Sequence, residues 1–305
     1  MAKPLSPPPV DGWLILDKPL GMTSTAAVAR VRKIAGASKA GHGGTLDPLA
    51  TGVLPIALGE ATKTVSLVMD GPKIYRFTVR WGAETSTDDL EGTITATSAA
   101  RPAEQSILSA LPDFIGNIDQ IPPAYSAIKI AGQRAYARAR DGEDVVLSPR
   151  SVSIEALELL AAGTHEAVFE LRCGKGTYVR SLARDLGRRL GCLGHVAALR
   201  RLAVGRFTEA HMISLAKLEE FGHNGAGRKA VLTALRPLRT ALDDIPALAL
   251  SEAEARRLKQ GQPVELRAAG AHPEQQTVLV LQGEKPVALA AVKDGVLRPK
   301  RVFNL

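Results

Sequence analysis

Two stretches, IYRFTVRW (74–81) and EAVFELRC (166–173), constrain this chain most, because each alternates apolar and polar residues. Successive side chains of an extended strand point to opposite faces. Tyr75, Phe77, Val79 and Trp81 therefore share one face, and Arg76, Thr78 and Arg80 the other. In the second stretch Ala167, Phe169, Leu171 and Cys173 line up in the same way. GWLILDK (12–18) and SIEALELL (153–160) add two more strands, and GAETSTDDLEGTITAT (82–97) is a turn-rich crossing into another.

Helical segments lie between them. Thr23 or Ser24 can cap a helix with Val28, Val31 and Ile34 as its stripe, which Gly36 ends. ATKTVSLVMDG (61–71) reads as a short helix. In GKGTYVRSLARDLGRRLG (174–191), Thr177 is the expected cap, and Val179, Leu182, Ala183, Leu186 and Leu190 form an apolar stripe. Arg180, Arg184 and Arg188 recur every four residues on a separate face, where like charges repel. An anionic partner turns that cost into attraction. The fold class expected is α+β, a mainly antiparallel mixed sheet flanked by helices.

Three segments fall outside this frame. QIPPAYSAIKIAGQRAYARARDGEDV (120–145) mixes Pro, Gly and basic residues and reads as a surface excursion with a short helix. From 246 the texture changes: Ser251 and Glu254 have capping-box spacing, and 275–305 reads as β-hairpins. A small β-rich module over 246–305 is expected. The first ten residues hold four prolines and no apolar core of a signal peptide, so they are expected to be a disordered tail.

A chain of 305 residues accommodates one large domain, here 11–245, and this small one. Its apolar runs are too short to cross a bilayer, so no membrane partner is expected. Two cysteines without a framework point to a reducing cytoplasm, and six scattered histidines nominate no metal site. The net charge of +8, with a pI near 9.6, makes a polyanion the natural partner.

One loop then stands out. GHGGTLDPLATG (41–52) sets Asp47 before a proline and among four glycines. Glycines permit tight turns and close approaches, so the loop is either a tight connection or a device for holding a carboxylate where a substrate can reach it. GxxxxGK[ST] is absent, which excludes a P-loop, and so is the GxSxG elbow of serine hydrolases. Nucleophilic attack or acid–base work by Asp47 remains open.

LDKPLGMTS (16–24), GHGGTLDPLATGVLPI (41–56), QIPPAYSAIK (120–129), GKGTYVRSLARDLG (174–187) and LRRLAVGRF (199–207) together resemble the ordered blocks of the TruB family of tRNA pseudouridine synthases. The resemblance runs from about residue 12 to the C-terminus. It implies conversion of a uridine in the T-arm of tRNA, conventionally uridine 55, to pseudouridine by a monomer without cofactor or metal. Asp47 falls on the catalytic aspartate, Tyr75 on the tyrosine that stacks on the target base, and Arg180 on the arginine that pairs with the aspartate. An opposite charge favours an ionised carboxylate, and a forked hydrogen bond orients it. Tyr178 and Leu199 match residues lining the uracil pocket, and His42 a histidine that helps displace the target nucleotide. Lys18 and Pro19 match a supporting block. Arg184 and Arg188 are left as solvated or phosphate-contacting residues. The resemblance makes 120–150 an RNA-gripping insertion, with Lys129, Arg134, Arg138 and Arg140 as contacts. It makes 246–305 a PUA-like RNA-binding domain reaching the acceptor stem. A non-catalytic tRNA-binding chaperone on the same fold is the competing reading, and retention of Asp47, Tyr75 and Arg180 argues against it. A hydrolase using Asp47 needs a second acid or base that the sequence does not nominate.

Overall fold

The computed structural model describes residues 9–126, 147–223, 227–266 and 277–305, with positions 128–130, 133–135, 138, 143 and 145 between them. Its centre is a sheet of ten described strands. They are β1 (Gly12–Lys18), β2 (Ala40–His42), β3 (Ala50–Leu58), β4 (Lys73–Trp81) and β5 (Gly116–Gln120), then β6 (Arg150–Ala162), β7 (Glu166–Cys173), β8 (Gly194–Val204), β9 (Phe207–Thr208) and β10 (Ile213–Ser214). The order is β10-β1-β3-β8-β4-β7-β6-β5, with β2 on β3 and β9 on β8. Only the β1–β10 and β3–β8 pairs are parallel, so the sheet is mixed and mainly antiparallel as expected.

The alternating strands alternate because one of their faces is covered. Phe77 stacks on Phe169 with ring centroids 5.3 Å apart, and Trp81 meets Phe169 edge-on at 6.4 Å. Helices α3 (Glu104–Ala110) and α4 (Val179–Arg189), which follow the short α2 (Val65–Asp70) in the chain, cover this face with Ile107, Leu182, Ala183 and Leu186. On the other face Arg76 and Arg80 pair across the strands with Glu170 and Glu166. By contrast Trp13–Leu16 of β1 and Val53–Leu58 of β3 are unbroken apolar runs because they are buried on both faces. Leu14, Leu16, Leu54 and Ile56 pack under α1 (Ser24–Ala35), while Trp13, Ile15, Val53 and Ala57 face the opposite side. Tyr75 and Leu199 pack against both clusters on the helical side, marking the seam between them.

Several expectations shift in detail. Thr23 caps α1 by accepting from the Ala26 N–H, and Gly36 ends it in the left-handed region, but the fully buried stripe is Ala27, Val31 and Ala35. Small residues let that helix approach the sheet, and Val28 and Ile34 pack at its edges. Thr177 does not cap α4; its hydroxyl donates to the Gly174 carbonyl at 3.3 Å, and Tyr178 holds the cap position. The expected tail lies largely outside the described residues, and at its end Val10 is buried.

The C-terminal five-stranded sheet runs Ala247–Ala249, Thr277–Gln282, Lys285–Lys293, Val296–Val302, Val264–Glu265. Its helix, Glu252–Lys259, has the predicted Ser251–Glu254 capping box. This sheet has a core of its own around Leu258, Val278, Val280 and Val292. Its Leu279, Leu281, Leu289 and Phe303 pack with Trp13, Val53, Val204 and Phe207 on the far side of the main sheet. The module is therefore docked through a shared apolar core rather than appended on a linker.

Candidate active site

The Asp47 loop is shaped by packing within the chain. A Cβ at Gly43 would lie 2.7 Å from Val68 Cγ1, and one at Gly52, where φ is +97°, would lie 2.3 Å from the Arg201 carbonyl oxygen. These two close approaches are made to the protein's own side chains and backbone rather than to a substrate.

The loop is then braced residue by residue. Ser24 Oγ donates to the Leu46 carbonyl at 2.9 Å and accepts from the Leu46 N–H at 2.8 Å. Lys18, fully buried, donates to the carbonyls of Met22 (2.6 Å), Pro19 (2.9 Å) and Pro48 (3.3 Å). Burial pulls the Lys18 amine down to about 8; Asp47 acts in the opposite direction and Arg201 adds to the fall. Arg201 donates to Val53 (2.8 Å), Gly44 (3.0 Å) and Thr45 (3.3 Å).

Held on both sides, Asp47 presents its carboxylate. Its Oδ2 is 3.0 Å from Arg180 Nε, and Asp89 Oδ2 lies 3.7 Å from the same nitrogen. The Arg180 and Asp89 side chains are 6% and 7% exposed but that of Asp47 is 40%, so Asp47 is the member of the trio a substrate can reach. Arg180 spends its remaining donors on the Thr87 and Tyr125 carbonyls, both at 3.0 Å.

Asp47 opens into a cleft of about 560 Å³ whose lining includes Tyr75, Tyr178, Arg180, Leu199 and Arg201. Tyr75 lies in register with Leu171 on one side and Arg201 on the other. Burial pushes its hydroxyl up, and the Arg201 charge beside it acts the other way. Burial also raises Tyr178, with Ser126 opposing. Cys173, pushed up to about 11 by burial, stays a neutral thiol.

Five of the residues nominated by the sequence thus converge on one cleft: Asp47, Tyr75, Tyr178, Arg180 and Leu199. Lys18 sits behind the loop. His42 lies on β2, outside the cleft lining. Lys129 and Arg134 pair across a two-stranded hairpin, and Arg138 is 2.6 Å from Glu143. The side chains of Lys129 and Arg134, the whole of Arg140 and the helix expected there lie outside the described residues. The excursion is not free at its start. Ser181 and Arg184 donate to the Ile121 carbonyl, and Gln120 accepts the Tyr178 N–H at 2.8 Å.

The structure corrects the reading of the arginine stripe. Arg184 is buried and 2.9 Å from Asp88, and Arg188 makes two bonds to Glu84 at 2.6 and 2.7 Å. The anions that relieve the stripe belong to the same chain, in the turn at 84–89. Sequence reasoning missed Ser24, Asp88, Asp89 and Arg201. The carboxylates carry no motif; Arg201 lies inside a recognised block but has no periodicity to single it out. Among the described residues no cluster of three or more His, Cys, Asp or Glu could hold a metal ion, and no helix is long and apolar enough to cross a membrane.

Two solved structures share this architecture. One, described as "Crystal Structure of a Cbf5-Nop10-Gar1 Complex", matches with a TM-score of 0.73 at 25% identity over 96% of this chain and 84% of that one. Another, "Structure of H/ACA RNP bound to a substrate RNA containing 2'-deoxyuridine", gives 0.74 at 24% over 96% and 85%. The fold is that of the pseudouridine synthases.

The family described as "TruB family pseudouridylate synthase (N terminal domain)" matches residues 32–179. "tRNA pseudouridylate synthase B C-terminal domain" matches 180–243, and "Pseudouridine synthase II TruB, C-terminal" matches 246–303. Among relatives, "tRNA pseudouridine synthase B" of Bradyrhizobium diazoefficiens is 57% identical over 97% of this chain and 86% of its own. The protein of the same name from Rhizobium meliloti is 52% identical over 99% of both chains. The chain belongs to the TruB family of pseudouridine synthases, which are isomerases.

Proposed function

We propose that this protein isomerises a uridine of tRNA, position 55 in the T-arm, to pseudouridine, with Asp47 as the catalytic carboxylate. The observation that carries the reading is the exposed Asp47 carboxylate, held 3.0 Å from Arg180 at a cleft lined by Tyr75 and Leu199. Relatives named tRNA pseudouridine synthase B, at 57% and 52% identity, support the reaction and the RNA.

The chemistry assigns each group a task. Asp47 stabilises or captures the electron-poor sugar carbon as the glycosidic bond breaks. Arg180 fixes which way the carboxylate points. Tyr75, Tyr178 and Leu199 hold the uracil while it turns and re-forms the bond through C5. The base leaves its stack to enter, at a cost of a few kcal/mol that phosphate contacts offset. His42 aids that displacement, Lys129, Arg134 and Arg138 grip the T-arm, and 246–305 reaches the acceptor stem. The reading takes the chain as a monomer needing neither cofactor nor metal.

The test is tritium release from a T-arm hairpin labelled at C5 of its uridines, with chelator present. Release by the wild type but not by Asp47→Asn, with RNA binding retained by both, is the expected result. Tight binding of hairpin and whole tRNA without release from either would favour a chaperone instead.

A further inference from the structure

Arg201 is a buried cation of the cleft to which the proposed reaction gives no task. It is almost fully buried, lines the cleft with Tyr75 and Asp47, and is the cross-strand partner of Tyr75, so the two side chains share a face. Its guanidinium donates to three backbone carbonyls and also hydrogen-bonds the neutral Tyr75 side chain. Among the described residues no carboxylate forms an ion pair with it within 4.0 Å, whereas Arg180, Arg184 and Arg188 each have one.

Carbonyl dipoles solvate a cation without cancelling its charge, so net positive charge stays at the cleft floor. That charge is costly: burial pulls the guanidinium down, with Tyr75 and Asp47 acting against the fall. A neutral donor would clamp the same carbonyls more cheaply. Lys73, two residues along the same face as Tyr75, is also pulled down by burial. Of the two, the guanidinium is the group that keeps its proton at every working pH.

The reaction calls for such a charge. When C1′–N1 breaks, the electron pair goes into the uracil ring and spreads over N1, O2 and O4, leaving C1′ electron-poor. The base stays anionic until its C5 attacks C1′; the neutral adduct then loses its C5 proton and takes up a proton at N1. Asp47 answers the positive charge on the sugar. Arg180 is already neutralised by Asp47 and Asp89.

We infer that Arg201 is a positioning residue whose uncompensated charge, set beside Tyr75 on the cleft floor, stabilises the uracil anion while the base turns. The inference rests on the proposed Asp47 reaction. In a water-poor cleft such a fixed charge acts over several ångströms without reorganising.

A leaving-group comparison tests it. Fluorine at C5 withdraws electrons and stabilises the detached anion chemically, so 5-fluorouridine needs less help from the protein. The target nucleoside of a T-arm hairpin is made uridine or 5-fluorouridine, and its single-turnover loss is followed with the full chain. Arg201→Gln is expected to slow uridine by about 100-fold and 5-fluorouridine by less than about 10-fold, with RNA affinity unchanged. Arg201→Lys keeps the charge but not the fork. It should stay within about 10-fold of wild type with an unaltered ratio between the substrates.

Equal losses on both substrates, or equal losses for Gln and Lys, overturn the inference and leave Arg201 a clamp. Should Arg201→Gln give no cooperative melt, Arg201→Lys decides alone: a loss of about 100-fold or more on both substrates sinks the idea. An Asp47→Asn protein active on uridine, or an inactive wild type, overturns the underlying reaction instead, whatever Arg201 does.

Discussion

Arg180 and Arg201 both lie buried behind the Asp47 loop, yet they are held in opposite ways. Arg180, on α4, spends its Nε on carboxylates, with Asp47 at 3.0 Å and Asp89 at 3.7 Å. Arg201, on β8, bonds to the carbonyls of Gly44, Thr45 and Val53 and to the Tyr75 side chain, none of them a carboxylate. The first arrangement orients a charge and neutralises the cation; the second clamps backbone and leaves a cation uncancelled. The lesson is that a buried arginine is defined by what accepts from it, and the two kinds should fail differently when altered.

The largest failure is expected at Arg180. Arg180→Met strands the buried Asp89 carboxylate and frees Asp47 to rotate. A cost of about 3–5 kcal/mol in stability is expected, as for breaking a buried pair. A misplaced carboxylate should also lower the single-turnover rate of the remaining folded protein by about 100-fold or more. Denaturant melts and single-turnover tritium release separate the two effects. A near-normal rate would mean that Arg180 does not orient Asp47.

One helical turn further, Arg184 tests pairing without chemistry. It is buried against Asp88, and burial raises the Asp88 carboxyl more than Arg184 lowers it. Arg184→Met alone should cost about 3 kcal/mol, because it leaves Asp88 alone in the interior. Adding Asp88→Asn, which suits that residue's φ of +60°, should restore most of the loss. The sign with pH follows from the raised folded pKa: ionised Asp88 opposes folding, and that cost disappears as pH falls through the folded pKa. Wild type should therefore gain on the double variant on acidification. The folded single variant should keep its tritium-release rate within a few-fold, unlike Arg180→Met.

Lys18 belongs with Arg201, a buried cation on carbonyls. Its folded pKa, about 8, lies below the value of about 10.4 for a free lysine. The unfolded chain therefore binds more protons between those values, and stability rises with pH there. Relative to Lys18→Met, wild type should gain up to about 3 kcal/mol between pH 8 and pH 10.5, roughly 1.4 kcal/mol per pKa unit. Chemical melts of both proteins across that range read the difference. A constant gap would show that Lys18 does not titrate in the fold.

How much of this was legible depended on which forces leave a local signature. The alternation in β4 and β7 was plain because only one face is covered, so polarity follows the pleat. β1 was legible as a strand, but an unbroken apolar run such as Trp13–Leu16 does not say what lies on each side. The second cover is the C-terminal sheet, whose Leu279, Leu281 and Leu289 sit in strands apolar on both faces. Asp47, Arg180, Tyr178 and Leu199 were found through blocks of sequence that the cleft draws together, and Tyr75 through its place on an alternating strand and its match to the family's tyrosine. The acids of the turn at 84–89 were not, because pairing depends on the fold: Asp88 is 96 residues from Arg184. Arg201 was hidden for a related reason, since backbone carbonyls are available to any sequence and leave no mark in it.

Arg188 is where the ladder reaches solvent, and it sets the lower end of the comparison. Its side chain is 57% exposed, and Glu84, its bidentate partner, is 10% exposed. Water can replace much of what Arg188 supplies, so Arg188→Gln should cost only about 1 kcal/mol. Because the pair lies at the edge of the protein, raising salt to about 0.5 M should narrow the gap to wild type. The same salt should leave the Arg184→Met deficit nearly unchanged, since that pair is out of reach of ions. Thermal melts of both variants at low and high salt make the comparison. Equal salt sensitivity would mean that depth does not separate the two pairs, and that the gradient along α4 is one of geometry alone.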